Sequence, residues 1–141
     1  ILRKRENFRH AFDNFNAVKI ARYTDAKLTK LMTDSGIIRN RLKIKGTVKN
    51  AQAFLKIQKE FGSFARYLWA FVHNRPIIHR HRRTNQIGTS NRESDALSLD
   101  LKKRGFTFVG TTICYAFMQG AGLINDHLIT CFRYSQVSLQ K

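Results

Sequence analysis

Gly105 and Gly110 stand five positions apart, with only Phe106, Thr107, Phe108 and Val109 between them. That spacing constrains the chain more than any other feature. Asp95 to Arg104 reads as a helix, with Ser94 as its cap and Leu97 and Leu101 on its inner side. Gly105 stops it. A second helix is expected from Thr111 to about Gln119, broken by Gly120 and Gly122. So short a link leaves little freedom in the crossing of the two helices. Phe106, Phe108 and Val109 are expected to tuck into the core and hold it.

The rest of the chain reads the same way. There is one proline in 141 residues, and strand-like alternation is scarce. Leu2 to Phe12 reads as the end of a basic helix, with Phe8 and Phe12 on one face. Thr24 is placed to cap a helix carrying Leu28, Leu31 and Met32, which Gly36 would close. Asn40 caps the best-defined helix, where Ile44, Val48, Ala51 and Leu55 follow a 3.6-residue period and Gly62 ends the run. Ser63 starts another, with Phe64, Leu68 and Phe71 or Val72 inward. His73 to Glu93 is expected to be a loop, Asn125 to Phe132 a last helical stretch, and the tail from Ser135 frayed. The fold class is all-α, a single helical domain, with apolar content of 43% sufficient for a core.

Charge narrows the function. Lys and Arg number 26 against 9 Asp and Glu, a net charge of +17. Between Ser35 and Arg92 there are 13 basic residues and one acid, Glu60. Such an excess suits a polyanion, because each neutralised phosphate releases condensed counterions. The glycine-bracketed link then acquires a function. Backbone amides at Gly110, Thr111 and Thr112 would lie free at a helix start, where partial positive charge favours a phosphate oxygen. Lys102 and Lys103 stand just before the link. This is the logic of a helix-hairpin-helix over about residues 94–120, gripping the sugar-phosphate backbone through Gly105, Gly110, Thr111, Thr112, Lys102 and Lys103. Arg41 and Lys45 form a basic stripe beside the apolar face of the central helix and join the candidate DNA contacts.

Two cysteines, Cys114 and Cys131, are too few for a disulfide scaffold. No run of about 20 apolar residues is present. A reducing, cytoplasmic setting and a monomer are expected. Cys114 is read as a buried small hydrophobe. Tyr67 and Trp69 are read chiefly as core aromatics, with the back wall of a pocket as their alternative. His79 and His81 form a His-x-His among arginines, which argues against a metal there.

Several words of the sequence go further. Ser94-Asp95-Ala96-Leu97-Ser98, Leu101-Lys102-Lys103-Arg104-Gly105-Phe106 and the run from Phe108 to Gln119 resemble the 3-methyladenine DNA glycosylase I family. So do Leu2-Arg3-Lys4-Arg5-Glu6-Asn7, Gly36-Ile37-Ile38-Arg39 and Asn125-Asp126-His127. The resemblance covers nearly the whole chain. It implies an all-helical, helix-hairpin-helix glycosylase that hydrolyses the N-glycosidic bond of 3-methyladenine in alkylated double-stranded DNA after flipping the base. It also implies a structural zinc, with His127 and Cys131 as one pair of ligands, four positions apart and expected on one helical turn. The family's remaining zinc ligands and the residues that recognise the flipped base are expected upstream of Ile1, so the chain reads as lacking that N-terminal segment.

The resemblance leaves no certain catalytic residue within the chain. Asp126, near the position of the wider superfamily's catalytic aspartate, is the candidate for a direct part; capping the last helix is its alternative. No lysine stands out as a Schiff-base nucleophile, consistent with a monofunctional enzyme. Two functions compete: base excision, and a non-sequence-specific duplex-binding module that keeps only the grip. A basic RNA-packaging protein is the third class, and the run from Lys102 to Gln119 argues against it.

Overall fold

The computed structural model describes residues 1–138. They are mostly helical and group into two compact units.

The first unit holds residues 1–63 together with the Arg104–Phe108 link. A 3-10 turn, Leu2–Lys4, leads into α1 (Arg5–Ala11). Asp13, Asn14 and Phe15 then take positive φ in succession, between 52° and 55°. Asp and Asn tolerate that conformation. Phe15 is held there with its ring stacked on Phe12, centroids 5.7 Å apart. Asn16 caps the short α2 (Ala17–Ile20) by accepting the Lys19 N–H. Thr24 caps α3 (Asp25–Thr33) as expected, accepting from Lys27 N–H. Gly36 does not close that helix. Asp34 ends it in an extended conformation, and its carboxylate accepts the Gly36 N–H at 2.7 Å. This bond turns the chain out of α3 at Asp34, before Gly36 is reached.

Helix α4 (Arg41–Phe61) begins at Asn40, whose side chain accepts the Lys43 N–H, and ends at Gly62 with φ +81°. Ile44 and Ala51 are buried as the period requires, while Val48 and Leu55 are half-buried. Ile57 is fully buried, which is worth about 2 kcal/mol by area. Phe12, Ile20, Leu31, Ile37, Ile44 and Ala51 form the core of this unit. Gly46 marks a close approach: a Cβ there would lie 2.7 Å from Thr107 Oγ1 and about 3.0 Å from the Phe108 ring. Asn50 secures the same segment, its Oδ1 accepting from Thr107 N–H at 2.8 Å and its Nδ2 donating to Thr107 O at 3.1 Å. Phe108 has φ +59° and is 49% exposed, so it does not enter a core as expected.

The second unit holds residues 64–103 and 109 onward. It comprises α5 (Phe64–Ala70), β1 (Ile77–Ile78), α6 (Arg92–Lys103), α7 (Thr111–Gly120), β2 (Ile124–Asn125) and α8 (Phe132–Ser138). Leu68, Val72, Leu97, Leu101, Met118, Leu123 and Ile124 are buried. Helix α6 starts earlier than its apolar pattern suggests. Asn91 Oδ1 accepts the Ser94 N–H at 2.7 Å, and Ser94 Oγ accepts the Asn91 N–H at 2.9 Å. This reciprocal pair makes Asn91 the cap and buries Ser94 one turn inside.

The strands contradict the helical reading of Asn125 to Phe132. β1 and β2 pair in parallel, Ile77 opposite Ile124 and Ile78 opposite Asn125. The pairing continues as His79 N–H donates to Asn125 O at 3.1 Å and Ile129 N–H donates to His81 O at 2.9 Å. Backbone groups from the supposed loop claim the partners a helix at 125–132 would need. The last helix therefore starts at Phe132 and runs through Ser135 to Ser138, where fraying was expected; the remainder of that tail lies outside the described residues.

Candidate nucleic-acid interface and the Asp126 cluster

Helix α7 starts at Gly110, its N-cap, with φ −63° and no side-chain cap. Its first amides are therefore not claimed by a capping side chain. A Cβ built at Gly110 would meet nothing within 4 Å, so no neighbouring atom of the protein demands glycine at this point. Ser98 Oγ donates to Val109 O at 2.6 Å and ties this helix start to the middle of α6. Thr111 Oγ1 lies 2.8 Å from Ser94 Oγ and 2.6 Å from Asp95 Oδ1. Thr111 thus meets the first turn of α6. Lys102 and Lys103 are exposed at the other end of that helix, about 10 Å along its axis from Asp95 at 1.5 Å per residue. Thr112 is exposed. Gly105 has φ +92°, also with open space around it. Arg104 is engaged: its guanidinium makes two bonds to Glu60, at 2.7 and 3.2 Å, and lies over the Phe61 ring. On α4, Arg41 and Lys45 are exposed.

Asp126 does not cap a helix. It is 7% exposed and collects four donors. Tyr115 OH and Gln119 Nε2 reach Oδ2 at 2.6 and 2.7 Å. His79 Nδ1 and His81 Nε2 reach Oδ1 at 2.6 and 3.0 Å. Burial alone would push the Asp126 carboxyl up. The bonds from Tyr115, His79, Gln119 and His81 outweigh that and hold it below the usual carboxylate range. Burial, aided by the bond to Asp126, pushes the Tyr115 phenol up. The convergence of His79 and His81 on Asp126 is absent from the sequence reading. A His-x-His on an extended segment puts both imidazoles on one side, which was the available signal; their partner lies 45 and 47 positions away.

His127 and Cys131 are not on one helical turn, since that stretch is not helical. Their side chains still meet, Sγ 3.7 Å from Nδ1, because the turn ahead of α8 folds back. Cys114 is buried as expected. Burial pushes its thiol up, against the pull of Lys102. Tyr67 is buried, with its hydroxyl donating to Asp100 Oδ2 at 2.8 Å, and Trp69 is half-buried. Among the described residues no helix is long and apolar enough to cross a membrane.

The helical fold, the exposed basic residues and an uncapped helix start define the kind of protein that comparison with known proteins resolves further. The profile of the methyladenine glycosylase family matches residues 1–134. The chain belongs to that family. It is 46% identical to DNA-3-methyladenine glycosylase 1 of Escherichia coli (strain K12), over 95% of this chain and 72% of that protein. It is 44% identical to the DNA-3-methyladenine glycosylase of Haemophilus influenzae, over 93% of this chain and 71% of the relative. The solved structure of 3-methyladenine DNA glycosylase I from Staphylococcus aureus superposes with a TM-score of 0.90 at 34% identity, covering 94% of this chain and 71% of that one.

Proposed function

We propose that the chain is a DNA glycosylase that hydrolyses the N-glycosidic bond of 3-methyladenine in alkylated DNA. The observation that carries this is the 46% identity, over 95% of the chain, to a DNA-3-methyladenine glycosylase. The chemistry asks little of the protein. An N3-methylated adenine is already cationic and leaves as a neutral base. Water adds to the anomeric carbon as the carbon–nitrogen bond breaks, and a proton is released to solvent. The protein must expose the base, hold the strand and stabilise the positive charge that develops on the sugar.

The strand is held without reading sequence. The amides at Gly110, Thr111 and Thr112 meet a phosphate oxygen, and the bare Gly110 lets the backbone come close. This helix-hairpin-helix grip acts on duplex DNA. Lys102, Lys103, Arg41 and Lys45 add counterion release, and Gly105 permits the turn. Asp126 is an ionised carboxylate with every strong acceptor direction filled, so it takes no proton in this reading; it orders the side chains around it. The protein works as a monomer in the cytoplasm, a setting that two free cysteines suit.

A structural zinc suits His127 and Cys131. Their 3.7 Å separation is close to the ~3.5 Å edge of a tetrahedral zinc site with one nitrogen and one sulfur ligand. These two would supply an imidazole and a thiolate, half of a closed set, and the ion would brace the turn before α8.

The test is release of free 3-methyladenine from methylated duplex DNA by the 141-residue chain, with a characterised relative as positive control. Base release with multiple turnover supports the enzyme. Salt-sensitive duplex binding without release would leave a binding module and overturn the enzymatic reading.

A further inference from the structure

His79, His81 and Asp126 offer three ligand atoms that all lie within 4.8 Å of one another. We propose that this cluster is a binding site for a first-row divalent cation, with Zn2+ as the reference ion, separate from the zinc proposed at His127 and Cys131.

Four observations support it. First, the donors converge on a point rather than along a line. Both imidazoles address the same oxygen, Oδ1, at 2.6 and 3.0 Å. Tetrahedral zinc with bonds of about 2.0–2.1 Å to nitrogen and oxygen places its ligands ~3.3 Å apart, so side-chain shifts under about 1 Å would open the cluster around an ion. Second, the carboxylate is already oriented. Tyr115 and Gln119 hold Oδ2 at 2.6 and 2.7 Å and leave Oδ1 to the histidines, as outer-shell partners do in metal sites. Third, the backbone carrying the ligands is pinned. His79 N–H bonds Asn125 O and His81 O accepts from Ile129 N–H, so backbone bonds tie the two ligand segments together just beyond the parallel pair. Fourth, the site is reachable. The side chains of His79 and His81 are 35% and 17% exposed over a carboxylate that is 5% exposed. Asp126 also lines a cavity of about 600 Å³ with Gln119 and His127.

Two nitrogens and one oxygen suit a borderline ion, and three protein ligands leave a fourth position for water or a small anion. The neighbouring Arg80, Arg82 and Arg83 are exposed, where water and salt screen them. Without the ion, the imidazoles donate to Oδ1; with it, each turns over its tautomer and lends the same nitrogen to the metal.

The experiment is Zn2+ titration by calorimetry on the chain as purified metal-free, on Cys131→Ser, and on His79→Gln with His81→Gln. The proposal expects Cys131→Ser to retain one bound equivalent. The double variant should lose that equivalent, or bind it with a weakening beyond the roughly 10–100-fold that loss of an outer-shell partner costs. Unchanged affinity and stoichiometry in the double variant would overturn it. So would loss of all zinc binding in Cys131→Ser. A spectrum of Cys131→Ser with Co2+ reads the site with both histidines intact, should the double variant unfold. Tetrahedral ligand-field bands without a thiolate charge-transfer band support the proposal, and the spectrum of hydrated Co2+ alone overturns it.

Discussion

The Thr111 hydroxyl donates to Asp95 Oδ1 at 2.6 Å, which sets a carboxylate of α6 against the first turn of α7. The amides proposed to meet a phosphate therefore already have a negative neighbour. Asp95→Asn should tighten duplex binding several-fold at low salt, at a stability cost of about 0.5 kcal/mol from the lost charge at the α6 start. Fluorescence anisotropy with a labelled duplex reads the affinity. Unchanged binding would move the phosphate contact away from the start of α7.

Gly110 separates binding from folding. Its φ of −63° suits any residue, and a Cβ there meets nothing within 4 Å. Gly110→Asp should leave the melting temperature nearly unchanged. It should weaken DNA binding at least about tenfold, or about 1.4 kcal/mol, by aiming a carboxylate at a phosphate. Equal affinity for both proteins would reject the grip.

Arg41→Glu with Lys45→Glu should flatten the salt dependence of DNA binding. Each phosphate contact contributes about 0.9 to the slope of log affinity against log salt, so two lost contacts lower it by about 2. A slope equal to that of the parent chain would assign both residues to bulk solvent.

Asp126→Asn keeps the shape but replaces one acceptor with a donor among four donors. Urea unfolding should show a loss of about 3 kcal/mol. A loss below about 1 kcal/mol would mean that water satisfies Tyr115 and Gln119 once the carboxylate is gone.

The two cysteines should react differently with a thiol reagent. Cys131 is partly exposed, whereas Cys114 is 3% exposed and its thiol is pushed up by burial. In metal-free native protein, alkylation should stop near one equivalent until denaturant is added, as mass spectrometry of the labelled chain would show. The sign for stability follows. The fold favours the neutral Cys114 thiol, so this contribution is whole below about pH 8.5 and is lost as pH rises through the higher folded value. Cys114→Ala should blunt that alkaline loss. Equal alkaline sensitivity would place its cause elsewhere.

Much of the helical layout is legible in the residues. Thr24 and Asn40 cap the helices they precede, Gly62 ends α4, and Gly105 and Gly110 bracket the link. These features depend on contacts within a few positions, which the chain carries wherever it goes. The run from Phe108 to Gln119 likewise marks the family without any coordinate. At helix ends the reading fails where a neighbouring polar side chain wins. Asp34 supplants Gly36 as the end of α3, and Asn91 supplants Ser94 as the cap of α6. In both, a short polar side chain satisfies backbone groups that periodicity does not see.

The sequence by itself determined the helical class, most helix ends, the basic surface and the family to which the chain belongs. Tertiary structure alone decided that Ile77–Ile78 pairs in parallel with Ile124–Asn125, with single backbone bonds tying His79 to Asn125 and His81 to Ile129 beyond it. That pairing denies residues 125–132 their helix and carries His79 and His81 onto Asp126. The reason is physical: helix caps and periods close over three or four residues, whereas a parallel pairing joins segments more than forty positions apart, and only the packed core brings them together.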